Sequence, residues 1–187
     1  MRLFVALNLP KKERERIHKA ARALRDQGMP VRWVEPQKYH LTLKFLGEVR
    51  TDRMGLIESI LGKVAAASPQ FSADLCGFGA FPTVRRPRVV WLGVEPTPAL
   101  RCLKQDVEWA LADAGFDRET RAFHPHLTLG RVDHEDGAGA FRGLDDLVSE
   151  LTYTGSVSVR SVELMRSQTS KGGATYTVLS SYPLAEG

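Results

Sequence analysis

The sequence of 187 residues has no long hydrophobic run, only two cysteines and no large excess of charge of either sign. Its longest apolar stretches, such as Val89 to Val94, fall far short of the roughly 20 residues that a membrane-spanning helix needs. Hydrophobic residues make up 43% of the chain and charged residues 26%, which excludes collagen-like, low-complexity and largely disordered proteins. We therefore expect one globular domain over residues 1–187.

The cysteines and the apolar start bear on the cellular compartment. Cys76 and Cys102 form no Cys-x-x-Cys pair. The stretch from Leu3 to Leu9 contains Asn8 and runs through Pro10 into charged residues with no small-residue cleavage site, so it predicts a buried strand rather than a signal peptide. We expect reduced thiols in a cytoplasmic protein. The net charge of +4 is compatible with a phosphate-bearing partner but too small to demonstrate one.

Hydrophobic periodicity and turn residues predict helices mixed with hairpin-like strands. The predicted helices cover residues 11–27, about 52–67 and 98–114. The predicted strands cover residues 2–9, 31–34, 39–46, 71–78, 89–94 and 126–132. An irregular segment at 137–143 and two or three further strands, around 151–154, 157–164 and 175–182, are expected after them. This mixture favours an α+β fold with antiparallel strands over a doubly wound parallel sheet.

The tetrapeptide His-Leu-Thr-Leu occurs twice, at His40–Leu43 and at His126–Leu129, 86 residues apart. The same offset places the strand residues Phe4 to Ala6 on Val90 to Leu92. Such self-similarity predicts two copies of one supersecondary unit, packed about a pseudo-two-fold axis that brings the two motif strands together. The repeat units are roughly residues 1–50 and 87–133.

The repeated motif carries side chains suited to acid–base chemistry. Alternate residues of a strand share a face, so His40 and Thr42 are expected on one face, and His126 and Thr128 likewise. Two imidazoles near one cavity can act as acid and base at neutral pH, because their pKa lies near that range. The hydroxyls can donate hydrogen bonds to phosphate oxygens. This set suits hydrolysis of a phosphodiester.

The same residues are compatible with other kinds of site. A histidine on a half-buried strand is often purely structural. His40, His124, His126 and His134 could bind a metal ion, although the repeated motif contains no carboxylate. A serine hydrolase is disfavoured, because no Gly-x-Ser-x-Gly sequence occurs.

In context, the motifs read His40-Leu-Thr-Leu-Lys-Phe-Leu-Gly47 and His124-Pro-His-Leu-Thr-Leu-Gly-Arg131. They resemble the H-x-T-x signatures of the two-histidine (2H) phosphoesterase superfamily, and in particular the bacterial and archaeal RNA 2′,3′-cyclic phosphodiesterases, historically called 2′-5′ RNA ligases. Further similar segments are Arg2-Leu-Phe-Val-Ala-Leu, Val31-Arg-Trp-Val, Gly79-Ala-Phe-Pro, Arg86-Pro-Arg-Val-Val-Trp91 and Ala174-Thr-Tyr-Thr-Val-Leu.

The resemblance implies a fold and a reaction. The fold is α+β and bilobed, with two antiparallel sheets facing a central groove and helices outside. The reaction is hydrolysis of RNA 2′,3′-cyclic phosphate ends to 2′-phosphomonoesters, without a metal or other cofactor. The partner is RNA with such an end, tRNA halves being one candidate, and neither a membrane nor an obligate protein partner is expected.

The resemblance also assigns roles to the motif residues. His40 is the proton donor and His126 the proton acceptor, while Thr42 and Thr128 hold the phosphate. The residues themselves leave the two histidine roles interchangeable. Two other functions stay open, namely 2′-5′ RNA ligation by the reverse-type reaction and a non-catalytic module that binds RNA ends.

Residues after each motif are further candidates. Arg131 matches a basic position of the family and would neutralise phosphate charge, but it lies on the opposite strand face unless Gly130 introduces a bulge. Phe45 occupies the repeat position of Arg131 and either stacks on a base or belongs to the core. Lys44 shares the ideal strand face with His40, or is simply a solvated charge.

Two groups of residues outside the motifs complete the candidates. Arg85, Arg86 and Arg88 lie in a proline-bounded loop that meets RNA or merely solubilises the surface. The three tryptophans are expected in the core; they are Trp33, Trp91 and Trp109.

Overall fold

The computed structural model describes residues 1–137 and 139–187 and has the expected α+β fold. The helices are α1 (Lys11–Ala20), α2 (Arg22–Arg25), α3 (Met54–Ala67), α4 (Pro98–Asp113) and α5 (Leu144–Glu150). The strands are β1 (Arg2–Asn8), β2 (Arg32–Trp33), β3 (His40–Glu48), β4 (Phe71–Pro82), β5 (Pro87–Val94), β6 (His126–Arg131), β7 (Thr154–Val159), β8 (Ser161–Ser170) and β9 (Gly173–Pro183).

The strands pair antiparallel in the order β7-β4-β5-β6-β3-β1-β8-β9, with β2 attached to β6. The order divides into two four-stranded halves, one ending at β6 and the other beginning at β3. These motif strands are joined at the pair Leu41–Leu127. The two expected antiparallel sheets are therefore continuous with each other at this narrow junction.

The main core lies between the sheet and its helices. Helix α4 is capped by Thr97, whose hydroxyl accepts a hydrogen bond from the Leu100 N–H at 3.4 Å. Pro98 is its first residue, a position that suits proline. Its buried residues recur at helical spacing and pack with the motif leucines; they are Leu100, Leu103, Val107 and Leu111. A separate small cluster of Phe4, Ala6 and Met165 packs with Tyr176. The helices thus cover the face of the leucines and leave the motif histidines on the other face.

Several predicted elements differ from those observed. The helix predicted over 11–27 is interrupted at Ala21 and ends at Arg25. Helix α5 was missed because its apolar residues span only two turns. The strands predicted at 151–154 and 157–164 were wrong: the chain leaves β7 at Val159 and enters β8 at Ser161, in the other half of the sheet. The apolar positions change phase at this break, from Val157 and Val159 to Val162 and Leu164. The predicted irregular segment 137–143 includes residue 138, which lies outside the described residues.

The repeat alignment also needs a correction of one residue. Ala6 pairs with Thr42, whereas Trp91 pairs with Thr128. Ala6 therefore corresponds to Trp91 and not to Leu92, because the connection from the first strand to the motif strand is one residue longer in the second unit. Within the described residues, no helix is long and apolar enough to cross a bilayer.

Candidate active site in the groove over the β3–β6 junction

The four motif side chains line one groove of about 940 Å³ over the junction of β3 and β6. His40, Thr42, His126 and Thr128 are each partly exposed, whereas the intervening leucines are buried. The strand alternation that the sequence predicted places these four polar side chains on one face. The structure therefore brings the two histidines into one compartment.

The pairing of the motif strands sets how the four side chains face one another. Because Leu41 pairs with Leu127 in antiparallel register, the flanking positions place His40 across from Thr128 and Thr42 across from His126. The two histidines are then diagonal neighbours, close enough that, besides burial, the charge of His126 lowers the pKa of His40. A phosphate between them would have an imidazole on each of two opposite sides.

Both imidazoles are oriented by the backbone in the same way. Nδ1 of His40 lies 2.8 Å from the carbonyl oxygen of Lys38, and Nδ1 of His126 lies 2.7 Å from that of His124. A carbonyl only accepts, so each Nδ1 must carry a proton and donate it. In the neutral ring, Nε2 then holds the free lone pair. Nε2 of His40 lies 3.1 Å from the Thr42 hydroxyl, which can donate to it.

The surroundings favour the neutral imidazole at both positions. Burial lowers the pKa of His40 and the pKa of His126 below the usual value, and the positive charge of Arg131 lowers both pKa values further. The hydrogen bonds to the Lys38 and His124 carbonyls act in the opposite direction and raise the two pKa values. Each ring is thus available as a base near neutral pH, and a bound phosphate anion would favour protonation.

Aromatic side chains pack against each imidazole ring. The His40 ring lies 5.0 Å from Phe4 and 5.0 Å from Tyr176 between centroids. The His126 ring lies 5.1 Å from Phe81 and 6.4 Å from Trp91. Periodicity did not reveal these aromatic neighbours. Segments containing Phe4, Phe81, Trp91 and Tyr176 were nevertheless among those that carry the family resemblance, and that was the available signal.

A bulge in each motif strand places Arg131 and Phe45 at the groove. The pairing steps from Val90–Gly130 to Trp91–Thr128, so Leu129 is the extra residue on β6. The face changes after it, and Arg131 lines the groove with His126. A Cβ on Gly130 would collide with the side chains of Val31 and Trp33, so glycine is required there.

The same irregularity recurs in β3. The pairing steps from Val5–Lys44 to Ala6–Thr42, which makes Leu43 the extra residue. Phe45 therefore lines the groove and is 68% exposed, so the alternative that it belongs to the core was wrong. Its ring lies 6.1 Å from that of Phe4.

Lys44 is neither a solvated charge nor a neighbour of His40 on the open face. The bulge turns it inward, and its side chain is 3% exposed. Its Nζ donates to Glu108 Oε2 at 2.7 Å and to the Asp117 carbonyl at 2.6 Å. Glu108 Oε1 also accepts from Lys104 Nζ at 2.6 Å. These contacts join β3 to α4 and to residues 117–124. We call residues 117–124 the wall segment, because they border the groove.

The remaining candidates lie elsewhere. Arg85, Arg86 and Arg88 are exposed at the β4–β5 turn and line a second cavity of about 550 Å³. The expectation of three core tryptophans was wrong for Trp109, which is 51% exposed, while Trp33 and Trp91 are partly buried.

The four histidines that could have formed a metal site do not assemble. His134 lines the second cavity, apart from the three in the groove. Across residues 1–137 and 139–187, no three histidine, cysteine or carboxylate side chains form a group that could hold a metal ion.

Known proteins share both the sequence and the architecture. The model of the 2′-5′ RNA ligase superfamily matches residues 9–171. A protein of Methanothermobacter thermautotrophicus named RNA 2′,3′-cyclic phosphodiesterase is 34% identical over 95% of each chain. A crystal structure of a Thermus thermophilus protein superposes with a TM-score of 0.84 at 26% identity, covering 100% of this chain and 99% of the other.

A crystal structure of E. coli LigT complexed with 3′-AMP has a TM-score of 0.76 at 31% identity, covering 98% of this chain and 97% of that one. The family match spans most of the chain, and the likeness to solved structures extends over the whole fold. The chain therefore belongs to the 2′-5′ RNA ligase superfamily.

Proposed function

We propose that this protein is an RNA 2′,3′-cyclic phosphodiesterase that opens the cyclic phosphate to a 2′-phosphomonoester. The observation that carries the proposal is the pair of imidazoles in one groove, each with Nδ1 hydrogen-bonded to a backbone carbonyl, which makes Nε2 the atom that exchanges protons with the substrate. The Thr42 hydroxyl contacts Nε2 of His40 at 3.1 Å and is released from it when this nitrogen becomes protonated. Curated relatives with this name cover most of the chain, and their activity is the one that this geometry suits.

The reaction needs one proton removed from water and one delivered to the leaving oxygen. Nε2 of His126 accepts the proton as the water oxygen forms its bond to phosphorus. The bond from phosphorus to O3′ breaks, and O3′ takes the proton from Nε2 of a protonated His40. The products are a free 3′-hydroxyl and a 2′-phosphomonoester, and proton exchange with solvent restores both rings.

The neighbouring side chains hold the phosphate and the terminal nucleoside. The hydroxyls of Thr42 and Thr128 donate to non-bridging oxygens, and Arg131 offsets the charge that develops on them. Phe45 provides an exposed aromatic face on which the base can stack. None of these steps calls for a cofactor.

The cellular setting is part of the proposal. RNA ends with a 2′,3′-cyclic phosphate, such as tRNA halves, are the substrates in the cytoplasm. The free thiols of Cys76 and Cys102 support a reducing compartment. We also attribute the paired motifs to a duplicated unit, roughly residues 1–50 and 87–133.

The test is a product analysis with a nucleoside 2′,3′-cyclic phosphate. The expected product is the 2′-phosphate, formed equally with and without EDTA. A 3′-phosphate product would contradict the assignment of O3′ as the leaving group. Loss of activity in EDTA with recovery on adding a divalent ion would indicate metal-dependent hydrolysis instead. Binding without turnover would indicate a module that only recognises RNA ends.

A further inference from the structure

The groove extends beyond the motif residues along the wall segment, residues 117–124. Arg118, Arg121 and Phe123 of this segment line the groove with the histidines. The segment contains no helix or strand and connects α4 to β6. A cyclic phosphate held between His40 and His126 would occupy only the centre of this groove. The rest of the substrate must leave along one of its borders.

The wall segment is held by the cluster of Lys44, Lys104 and Glu108, three side chains that also line the groove. Glu108 Oε2 accepts from the Glu119 N–H at 3.1 Å as well as from Lys44, and Lys44 Nζ donates to the Asp117 carbonyl at 2.6 Å. Burial acts to raise the pKa of Glu108, but the hydrogen bonds from Lys104, Lys44 and the Glu119 N–H outweigh it and lower that pKa. The Lys44–Glu108 ion pair thus anchors the segment on either side of Arg118, with Lys44 holding the Asp117 carbonyl and Glu108 holding the Glu119 N–H.

Arg118 is a positioned and uncompensated cation on this wall. Its guanidinium carbon lies 3.9 Å from the ring centroid of Trp109, which is half exposed on α4. Stacking on an aromatic ring restricts the guanidinium and leaves its N–H groups available at the edge. Within the described part of the chain, no carboxylate pairs with Arg118. Arg121, in contrast, is held by Glu119 through bonds of 3.0 and 2.7 Å.

We propose that Arg118, positioned by Trp109, binds a backbone phosphate of the RNA strand that precedes the cyclic end. The inference rests on the proposed function and adds a second contact to it. The RNA strand must extend from the central phosphate, and the wall segment borders its path. On that wall, the planar guanidinium of Arg118 presents N–H donors that suit a phosphate group. Because the wall segment is already anchored, little ordering is needed on binding.

The first experiment compares two substrates in the full-length protein. They are adenosine 2′,3′-cyclic phosphate and a short oligoribonucleotide with the same terminal group. Arg118→Ala is expected to raise the KM for the oligonucleotide about tenfold, with kcat nearly unchanged and with little effect on the mononucleotide. Trp109→Leu should act in the same direction but more weakly. The matched control is Arg160→Ala, an exposed arginine outside the groove.

The second experiment identifies the contacted group by its salt dependence. The dissociation constant of an oligonucleotide with a 2′-phosphate end is measured at several KCl concentrations. Loss of one phosphate contact should reduce the slope of log K against log salt by about 0.7 for a single strand. Arg118→Lys, which keeps the charge but not the fork, should preserve most of the slope.

The outcomes separate the two proposals. If the wild type hydrolyses both substrates and Arg118→Ala affects them equally or not at all, the inference is wrong while the proposed function stands. Weaker oligonucleotide binding with an unchanged salt slope would also overturn it, since that result indicates base stacking. If the wild type hydrolyses neither substrate, the proposed function fails. The salt slope for the 2′-phosphorylated oligonucleotide then still decides whether Arg118 contacts a backbone phosphate.

Discussion

Leu41 and Leu127 pair across the junction at which β3 meets β6, and both side chains are buried. This contact lies directly beneath the groove, so it supports the relative placement of the two histidines. Leu127→Ala removes a buried side chain and leaves a cavity, and we expect the free energy of unfolding to fall by about 2–5 kcal/mol. Urea denaturation measures the effect.

The matched control for that change is Leu56→Ala. Leu56 is 49% exposed on α3, so the same chemical change should alter the free energy of unfolding by no more than about 0.5 kcal/mol. An equal loss of stability in both variants would contradict the structural importance of the junction.

Replacement of either motif histidine should abolish most of the activity. His126→Ala removes the proposed base and His40→Ala the proposed acid, and each is expected to lower kcat by at least about 100-fold. His134→Ala is the control, because this exposed histidine lies outside the groove. Steady-state kinetics with a nucleoside 2′,3′-cyclic phosphate gives the comparison. Turnover near the wild-type rate in His126→Ala would rule out the paired-imidazole mechanism.

The charge of Arg131 should be visible in the pH profile. Arg131 lowers the pKa of His126 and of His40, after the larger effect of burial. Arg131→Gln therefore raises the pKa of His126, and a base with a higher pKa is lost at a higher pH as the solution is acidified. We expect the acidic limb of kcat/KM to move to higher pH. We also expect kcat/KM at its optimum to fall about 10- to 100-fold with loss of the proposed phosphate contact.

Arg131→Lys separates these two effects. It keeps the positive charge near both rings, so the acidic limb should stay close to that of the wild type while the phosphate contact weakens. If Arg131→Gln leaves the limb in place, its charge does not act on the histidines.

Lys44 supports the wall segment from inside the fold. Lys44→Met leaves Glu108 with one fewer cation and leaves the Asp117 carbonyl without its donor. Because an incompletely paired buried carboxylate is strongly destabilising, we expect a loss of about 3 kcal/mol in the free energy of unfolding. Lys63→Met is the control at an exposed position of α3. Thermal and urea unfolding measure the loss in both variants, and an equal loss in Lys63→Met would contradict this role of Lys44.

The repeat and strand alternation were sufficient to place the four motif side chains on one face, because a leucine at every second position fixes which face is buried. The sequence could not locate Lys44 or Phe45 with certainty. Their sides depend on a bulge at Leu43, and a bulge is a property of the pairing with β1. Arg118 was missed because it belongs to no repeated motif, and because its stacking partner Trp109 was expected in the core whereas it is 51% exposed.

The extra residues Leu43 and Leu129 have a consequence for how such chains are compared. A search that scores only the four letters of the motif would accept proteins in which the strand continues without a slip. In those proteins the arginine three positions after the threonine would face the interior. The informative signature is thus six residues long, and it includes the small residue that lets a neighbouring strand approach.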